Sequence, residues 1–449
     1  MPGRAGMYLT KYLVTHEVDD NNFIALNTLS GAIDVVEKKY QRFFEDPESI
    51  SAESPIYESL IDRGYIYDSE TAEENKLRSL YSHFQSEKRP VMFVICPTYA
   101  CNLRCVYCFE GNLTTEQQRV LTTDEVDSIF RAIKTLSTAE TSIQLFGGEP
   151  FLPSNKKIIS YIIDQAARRD YAISAVTNGV NLVEFLPLLS RYKKNLVDFQ
   201  ITLDGPAKIH DIRRPRAGGQ GTYNAIVKSI DAALECGLKI RLRVNVDREN
   251  IAYLTEMSAL IEDRGWDTFE NFMAMLSPVD NHTGVKLKNK LSENETAKLW
   301  FKLKEDHPEL DIFRPDLFRN LDYIITTIKR KEASFPRFHY CESNNLTCYT
   351  FGTDGKVYLC AEAIGHQSSA VGVFHPDLVL DESLVNQWNG RSILTLDKCR
   401  ECPIATFCGG GCAYAALCIN GAISDPYCNN AIETVHAYLD SISQDLLDL

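Results

Sequence analysis

The chain has no run approaching the ~18 uninterrupted apolar residues of a membrane-spanning helix. Its opening, "MPGRAGMYLTKYLVTHE", also lacks the long apolar stretch of a secretory signal. A cytoplasmic protein without a membrane partner is therefore expected. Positive charge is in short supply too: 47 Lys and Arg stand against 61 Asp and Glu, a formal net charge of −14. Affinity for phosphate backbones comes mainly from Lys and Arg, so no nucleic-acid partner is expected. Short basic runs such as "IKRKE" at 328–332 read as solvated helix faces. One further shortage is local. "CNLRCVYCFE" (101–110) packs Cys101, Cys105 and Cys108 into eight positions and has no fourth cysteine to complete a tetrahedron.

Cysteine itself is abundant, at 14 residues. A reducing compartment rarely keeps disulfides, so clustered cysteines there point to metal or redox chemistry. Three lie at 101–108, three at 341–360 and six at 399–428, leaving only Cys96 and Cys236 elsewhere. With 44% hydrophobic and 24% charged residues the chain can bury a sizeable core, and its length suggests about three domains.

Residues 7–90 read as a small unit of their own. "YLVTHEV" and "FIALN" look like strands, "NTLSGAIDVVEKK" like a turn into a third, and "SPIYESLIDRGYIYD" like a short helix stopped at Gly64. The polar helix "SETAEENKLRSLYSHFQSEKRP" then acts as a connector ending at Pro90. Either this unit is a plain cap or it is a winged-helix-like peptide-binding module. From residue 91 strands and helices alternate. The candidate strands are 91–97, 141–148, 172–179, 197–205, 239–247 and 268–276, with amphipathic helices at 123–137, 156–168, 222–236 and 252–264. That alternation implies a parallel sheet with right-handed crossovers. Six units are too few for a full eight-stranded barrel, so a partial (β/α)6 TIM-like barrel over 91–290 is expected. Bridging helices follow at 291–340, and a cysteine-rich region at 341–449 contains a hairpin turning at Asp354-Gly355.

Barrel chemistry sits at the C-terminal ends of the strands. The three cysteines follow the first strand, "GGEP" the second, "TNG" the third, and "TLDG" ends the fourth. In the fifth, "KIRLRVNVD", alternation puts Arg241, Arg243 and Asn245 on one face and Ile240, Leu242, Val244 and Val246 on the other. Polar residues inside a barrel need partners, supplied either by a bound ligand or by internal ion pairs.

A structural zinc site uses four protein ligands, which makes a lone C-x3-C-x2-C a poor zinc site. Three thiolates on a [4Fe–4S] cube instead leave one iron open. This loop, with "GGEP" after the next strand, resembles the radical S-adenosylmethionine (SAM) superfamily. The resemblance implies that Cys101, Cys105 and Cys108 hold a cluster whose open iron chelates SAM. Reductive cleavage of SAM would then give a 5′-deoxyadenosyl radical. It further places Tyr107 near the adenine and Gly147, Gly148, Glu149 and Pro150 at the methionine amino group, Glu149 either contributing charge or only holding the loop. Thr177, Asn178, Thr202, Asp204, Arg243 and Asn245 are its remaining candidate contacts to SAM or substrate.

"CRECPIATFCGGGC" reads C-x2-C-x5-C-x3-C at Cys399, Cys402, Cys408 and Cys412, with Cys428 sixteen positions later. Thirteen residues separate Cys341 from Gly355, and four separate Gly355 from Cys360. Two zinc sites are one reading. The pattern also resembles the SPASM extension of radical SAM enzymes, which implies two auxiliary [4Fe–4S] clusters and three in all. Cys399, Cys402, Cys408 and Cys428 would hold the outer one. Cys341, Cys360 and Cys412 would hold the inner one, with either Cys348 or a substrate thiol on its fourth iron. Cys418, Cys96 and Cys236 fall outside the pattern and read as small buried apolar residues.

SPASM enzymes act mostly on peptides and proteins. In the sulfatase-maturing branch, which makes formylglycine, an Asp directly follows the cysteine matching Cys360; here Ala361 follows, with Glu362 next. The branch that modifies ribosomal precursor peptides holds a leader peptide by strand addition, which suits residues 7–68. The resemblance therefore implies a peptide-modifying radical SAM oxidoreductase, a RiPP maturase. Its partners would be a leader-bearing precursor peptide and a flavodoxin- or ferredoxin-type electron donor, and its product a cysteine thioether. Carbon–carbon crosslinking, sulfatase-type maturation and a non-catalytic iron–sulfur electron carrier are the alternatives.

Overall fold

A computed structural model of the protein describes all residues except 1–6, 50, 52, 138, 281, 283–285, 316–317, 322–324, 327–335 and 448–449. The basic run at 328–332 and much of the second bridging helix thus lie outside the described residues. No helix among the described residues is long and apolar enough to cross a membrane.

The N-terminal segment opens with β1 (Tyr8–Leu9), β2 (Leu13–Glu17), β3 (Asn22–Asn27) and β4 (Ala32–Glu37), followed after a short helix (Tyr57–Asp62) by β5 (Ile66–Tyr67). β2, β3 and β4 form an antiparallel sheet, and β1 pairs with β5. Gly64 adopts φ 76° just past the helix, as a helix stop requires. Phe23, Ala25, Phe44, Leu60, Tyr65 and Ile66 build a local core. The segment is also fastened to the rest of the chain. Tyr12 and Leu29 pack with Leu396, Cys399 and Ala405, and Thr28 Oγ1 donates to the Pro403 carbonyl at 2.6 Å. The connector helix (Glu70–Ser86) is N-capped by Ser69 and adds Leu77 to the same cluster.

The parallel strands are β6 (Val91–Ile95), β7 (Thr141–Leu145), β8 (Ala172–Thr177), β9 (Leu196–Thr202), β10 (Ile240–Val246), β11 (Phe272–Pro278), β12 (Phe313–Arg314) and β13 (Cys348–Phe351). β13, β14 (Lys356–Tyr358), β15 (Gly372–Val373) and β16 (Val379–Leu380) continue antiparallel, giving the order β12-β11-β10-β9-β8-β7-β6-β13-β14-β15-β16. Six strands are where the sequence pattern puts them. Sequence reading did not supply the edges: β12 extends the sheet beyond β11, and β13 from the cysteine-rich region extends it beyond β6.

The helices form because their apolar residues recur on one face. In Thr123–Leu136, Val126, Ile129, Phe130 and Ile133 are buried, and Thr122 with Glu125 closes a capping box at the start. In β10, Ile240, Leu242, Val244 and Val246 are buried in the core with Ile226, Ile230, Met257 and Ile261 of the flanking helices, so Arg243 and Asn245 turn inward. Arg241 meets the internal ion-pair alternative, with its guanidinium 2.5 Å from Asp198.

Two cysteines depart from expectation. Cys96 is fully buried, whereas Cys236 and Cys418 are exposed. Cys236 caps the C-terminus of a helix and Cys418 lies in a single π-helical turn, where side chains face outward.

Phe351 on β13 is fully buried, edge-on to Phe374 at 5.3 Å and stacked near Phe93 of β6. Phe351→Ala is expected to cost roughly 3–5 kcal/mol. A melting temperature unchanged from wild type would show that β13 is not a structural seam.

Candidate functional site

All six barrel strands run parallel, so their C-terminal ends share one rim, and the loop carrying Cys101, Cys105 and Cys108 follows β6 there. Two glycines let the next loop close on it. A Cβ on Gly147, whose φ is 110°, would sit 2.1 Å from Cys96 Sγ, and one on Gly148 would sit 2.2 Å from the Tyr99 carbonyl oxygen. Any side chain at either position would push the "GGEP" loop off the cysteine loop.

Glu149 is buried, and its carboxylate accepts from Phe151 N at 2.8 Å, Thr177 Oγ1 at 2.7 Å and Asn178 N at 2.7 Å. It therefore ties the ends of β7 and β8 together. Asn155 donates to the Pro150 carbonyl at 3.1 Å and holds the other side of that loop. The Asn178 amide reaches Asn102 Oδ1 at 2.8 Å and lies 3.8 Å from Cys101 Sγ, so the third strand end touches the cysteine loop directly.

The opposite wall centres on Tyr107. Its hydroxyl accepts from Arg214 at 2.7 Å and from the Asn245 amide at 3.1 Å, and it donates to Asp204. Asp204 also accepts from Asn245 N at 3.0 Å. Arg243 donates to Asn245 Oδ1 at 2.6 Å and Ser277 Oγ at 2.8 Å, and its strand partner Thr202 is buried beside it. These candidates thus meet in one network, to which the structure adds Arg214 and Ser277. Neither had a motif to announce it.

Burial raises the thiol pKa values of Cys101, Cys105 and Cys108, the last to about 11, while the Arg214 guanidinium pulls Cys105 back down. Glu110, buried beside this loop, is pushed to about 8 by burial and by Glu149. Metal binding here must displace thiol protons, so occupancy is coupled to pH.

The tail cysteines surround two cavities. Cys399, Cys402, Cys408 and Cys428 line one of 240 Å³. Cys341, Cys348, Cys360 and Cys412 line another of 300 Å³. No three His, Cys, Asp or Glu side chains among the described residues converge tightly enough for a single ion. Four thiols spread around a cavity suit a polynuclear cluster better than one zinc ion. Cys348 lines the same cavity as the other three inner cysteines.

The 300 Å³ cavity is shared with the barrel, because Met92, Gln144, Arg243 and Ser277 also line it. On its wall stands a group absent from the sequence reading: His282 Nδ1 is 2.6 Å from Glu362 Oε2, and His282 Nε2 is 3.5 Å from Asp280 Oδ2. Burial alone would lower the His282 pKa, but the two carboxylates hold it above the ordinary value. The sequence singles out Glu362 from its place after Cys360 but not its partners: Asp280 and His282 sit in "PVDNHTG", which has no motif spacing.

A model of the radical SAM superfamily matches residues 95–261. Mycofactocin maturase MftC of Mycolicibacterium smegmatis is 24% identical over 359 residues, covering 74% of this chain and 80% of its own. The radical SAM cyclopropyl synthase TigE of Paramaledivibacter caminithermalis is 24% identical over 284 residues, covering 55% of this chain and 58% of its own. Among solved structures, anSMEcpe with bound AdoMet and Cp18Cys peptide superposes with a TM-score of 0.61 at 16% identity, over 80% of this chain and 99% of that one. Streptococcus suis SuiB bound to its precursor peptide SuiA gives 0.55 at 16% identity, over 92% and 96%.

His210 orients the Asp204 turn. Its Nδ1 accepts from Asp204 N at 3.1 Å and its Nε2 faces Thr222 Oγ1 at 3.0 Å. Burial, then Arg214, lowers its pKa from 6.5 to about 3. The folded state keeps this imidazole neutral while the unfolded state protonates below about 6.5. Its stabilisation is therefore complete above that pH and is lost as pH falls towards 3. Going from pH 7.5 to 5.5 should cost about 1.4 kcal/mol through this residue. His210→Gln, which keeps one acceptor and one donor, should flatten the dependence in thermal melts; an equal slope in both proteins would contradict it.

Proposed function

The chain carries a radical SAM domain, and from that premise we propose that it modifies a ribosomally made precursor peptide by forming a cysteine thioether. We assign 7–90 to leader recognition and the connector, 91–290 to the barrel, 291–340 to the bridge and 341–449 to a SPASM domain. The observation carrying this reading is the single cavity whose wall is shared by Arg243, the His282–Glu362 pair and the inner cysteines. When bound, SAM and the clusters would supply the 5′-deoxyadenosyl radical, using one electron from a flavodoxin- or ferredoxin-type donor, and would take up the electron that the substrate radical loses. The protein's own groups do the rest. Arg243, Asn245 and Tyr107 form the polar wall of the SAM site, and Glu149 holds the second and third strand ends in register. The His282–Glu362 pair takes the proton from the substrate thiol, which a peptide thiol must lose to become nucleophilic. With Cys348 in the inner set, that set has four protein thiols and the substrate sulfur needs such a base.

Carbon–carbon crosslinking is the second reading, supported by the cyclopropyl synthase among the relatives. Sulfatase-type maturation is supported by Glu362 on the cavity wall; Ala361 directly after Cys360 counts against it. Mass spectrometry of a cysteine-containing precursor separates the three. A thioether removes one hydrogen from carbon and one from sulfur and leaves a sulfur that no longer alkylates. A carbon–carbon link leaves the thiol reactive. Formylglycine replaces sulfur by oxygen. An alkylatable thiol in a product lighter by two hydrogens would rule out the thioether.

Replacing Cys101, Cys105 and Cys108 together by Ala should abolish 5′-deoxyadenosine formation under dithionite while iron remains in the tail. Undiminished SAM cleavage in that variant would refute the loop assignment.

Leader recognition is expected at β4. Among the described residues β4 pairs only with β3, and Lys38 N bonds to the Asn21 carbonyl, so alternation turns the Val35 N–H and carbonyl outward. Arg63 already covers the Ile33 carbonyl at 2.9 Å, leaving Val35 to Glu37 as the open edge. Val35→Pro should weaken binding of the full precursor at least tenfold, with SAM cleavage retained. Unchanged binding would assign the segment a capping role.

A further inference from the structure

Arg391 follows a helix (Glu382–Asn389) in the cysteine-rich region and is 3% exposed. Its guanidinium donates four hydrogen bonds, all to main-chain carbonyls. Nε donates to Ile423 O at 2.8 Å, Nη1 to Gly411 O at 2.7 Å, and Nη2 to Gly410 O at 2.8 Å and Asp425 O at 3.0 Å. Gly410 and Gly411 lie between Cys408 and Cys412, which belong to different cysteine sets, and the 423–425 turn leads into Cys428. The Arg391 carbonyl faces His339 Nδ1 at 2.8 Å, two residues before Cys341. Arg391 thus bonds to main chain lying next to cysteines of both sets. A Cβ on Gly410 would have Arg391 Nη1 at 3.5 Å and Cys399 Sγ at 3.8 Å, so the guanidinium and an outer thiol share one small space.

What Arg391 lacks is an anion. Among the described residues no carboxylate comes within 4.0 Å of it, whereas Arg213, also buried, meets Asp204, Asp247 and Glu249. Carbonyl dipoles can solvate a guanidinium, but they do not cancel its charge, and a buried unpaired charge is strongly unfavourable. Burial lowers the Arg391 pKa, and the groups that act to raise it again are Cys412, Cys399, Cys341 and Cys408. Two come from each set.

We propose that Arg391 is the fixed counter-charge shared by two negatively charged clusters, one in each tail cavity, and that it raises their reduction potentials. This rests on the cluster reading of the tail given above. A [4Fe–4S] cube with four thiolates is a net anion and gains one more negative charge on reduction. A permanent cation between two such sites stabilises each reduced form and favours electron transfer into the tail. Arginine suits the place because it stays charged at any pH and its planar fork reaches four carbonyls at once.

The test uses the whole chain with Cys101, Cys105 and Cys108 replaced by Ala, so that only tail clusters contribute to the signal. Arg391→Gln, Arg391→Met and Arg391→Lys are compared with Arg391 intact by iron and sulfide content and by redox titration followed by electron paramagnetic resonance. In the neutral variants the equilibrium constant for reduction of at least one cluster should fall tenfold or more, which is about 59 mV for a one-electron couple. Arg391→Lys should stay within threefold of the parent. Neutral variants that do not load or fold, beside a Lys variant that does, would also support the proposal, since charge alone would then decide occupancy. Loaded neutral variants with unshifted potentials would overturn it. A Lys variant failing alongside the neutral ones would overturn it too, reducing Arg391 to a hydrogen-bonding staple. An iron-free tail with Arg391 intact would remove the cluster reading and the proposal with it.

Discussion

The parallel pairing of β13 with β6 is the constraint on which the rest of the arrangement depends. β6 delivers the three-cysteine loop at its C-terminal end, and β13 starts at Cys348, opposite Met92 near the other end of the same strand. Paired residues project to the same face, and Met92 and Cys348 do line one cavity. Five strand residues span roughly 17 Å. The two cysteine sets therefore face the barrel interior from opposite ends of a rigid ruler. Had the tail been tethered by a flexible linker instead, no single cavity could be walled by Arg243 and Cys360 together.

Inside that frame the polar groups are settled by pairing, and the manner of pairing separates scaffold from site. Glu149 spends its carboxylate on three donors and holds strand ends. Asp204 is shared by Tyr107, Asn245 and Arg213, which fixes the wall opposite. Such groups have no capacity left for chemistry, although they shape the place where it happens. The His282–Glu362 pair differs: it stands on the cavity wall, its partners are acidic, and its proton can leave or arrive. Arg391 differs again, as a charge satisfied by dipoles alone among thiols that need neutralising.

Much of this was legible in the sequence because chain-local patterns carried it. The alternation in "KIRLRVNVD" put Arg243 and Asn245 inside, and the cysteine spacings separated the barrel loop from the tail. What stayed hidden depends on contacts remote in sequence. β13 reads as one arm of a hairpin, and nothing in "CYTF" says that its free edge belongs to β6, some 250 residues earlier. Asp280 and His282 become a unit only when the turn after β11 meets the turn after Cys360. Cys236 and Cys418 were misjudged because a cysteine's average burial says little about one at a helix end.

The N-terminal segment shows how one surface can serve two demands. Its sheet must bury one face, and it does so partly against the outer-cysteine loop: Tyr12 and Leu29 pack on Leu396, Cys399 and Ala405, and Thr406 Oγ1 meets Thr28 Oγ1 at 2.7 Å. On β2, at the edge of this sheet opposite β4, the His16 side chain meets His436 of the C-terminal helix at 3.0 Å. The segment carrying this sheet is mechanically joined to the cysteine-rich region through Tyr12 and Thr28. Leu77 of the connector helix joins the same cluster. A peptide adding to β4 would thus be held at a fixed offset from the barrel mouth, which limits how many residues beyond its leader can enter the cavity beside Arg243.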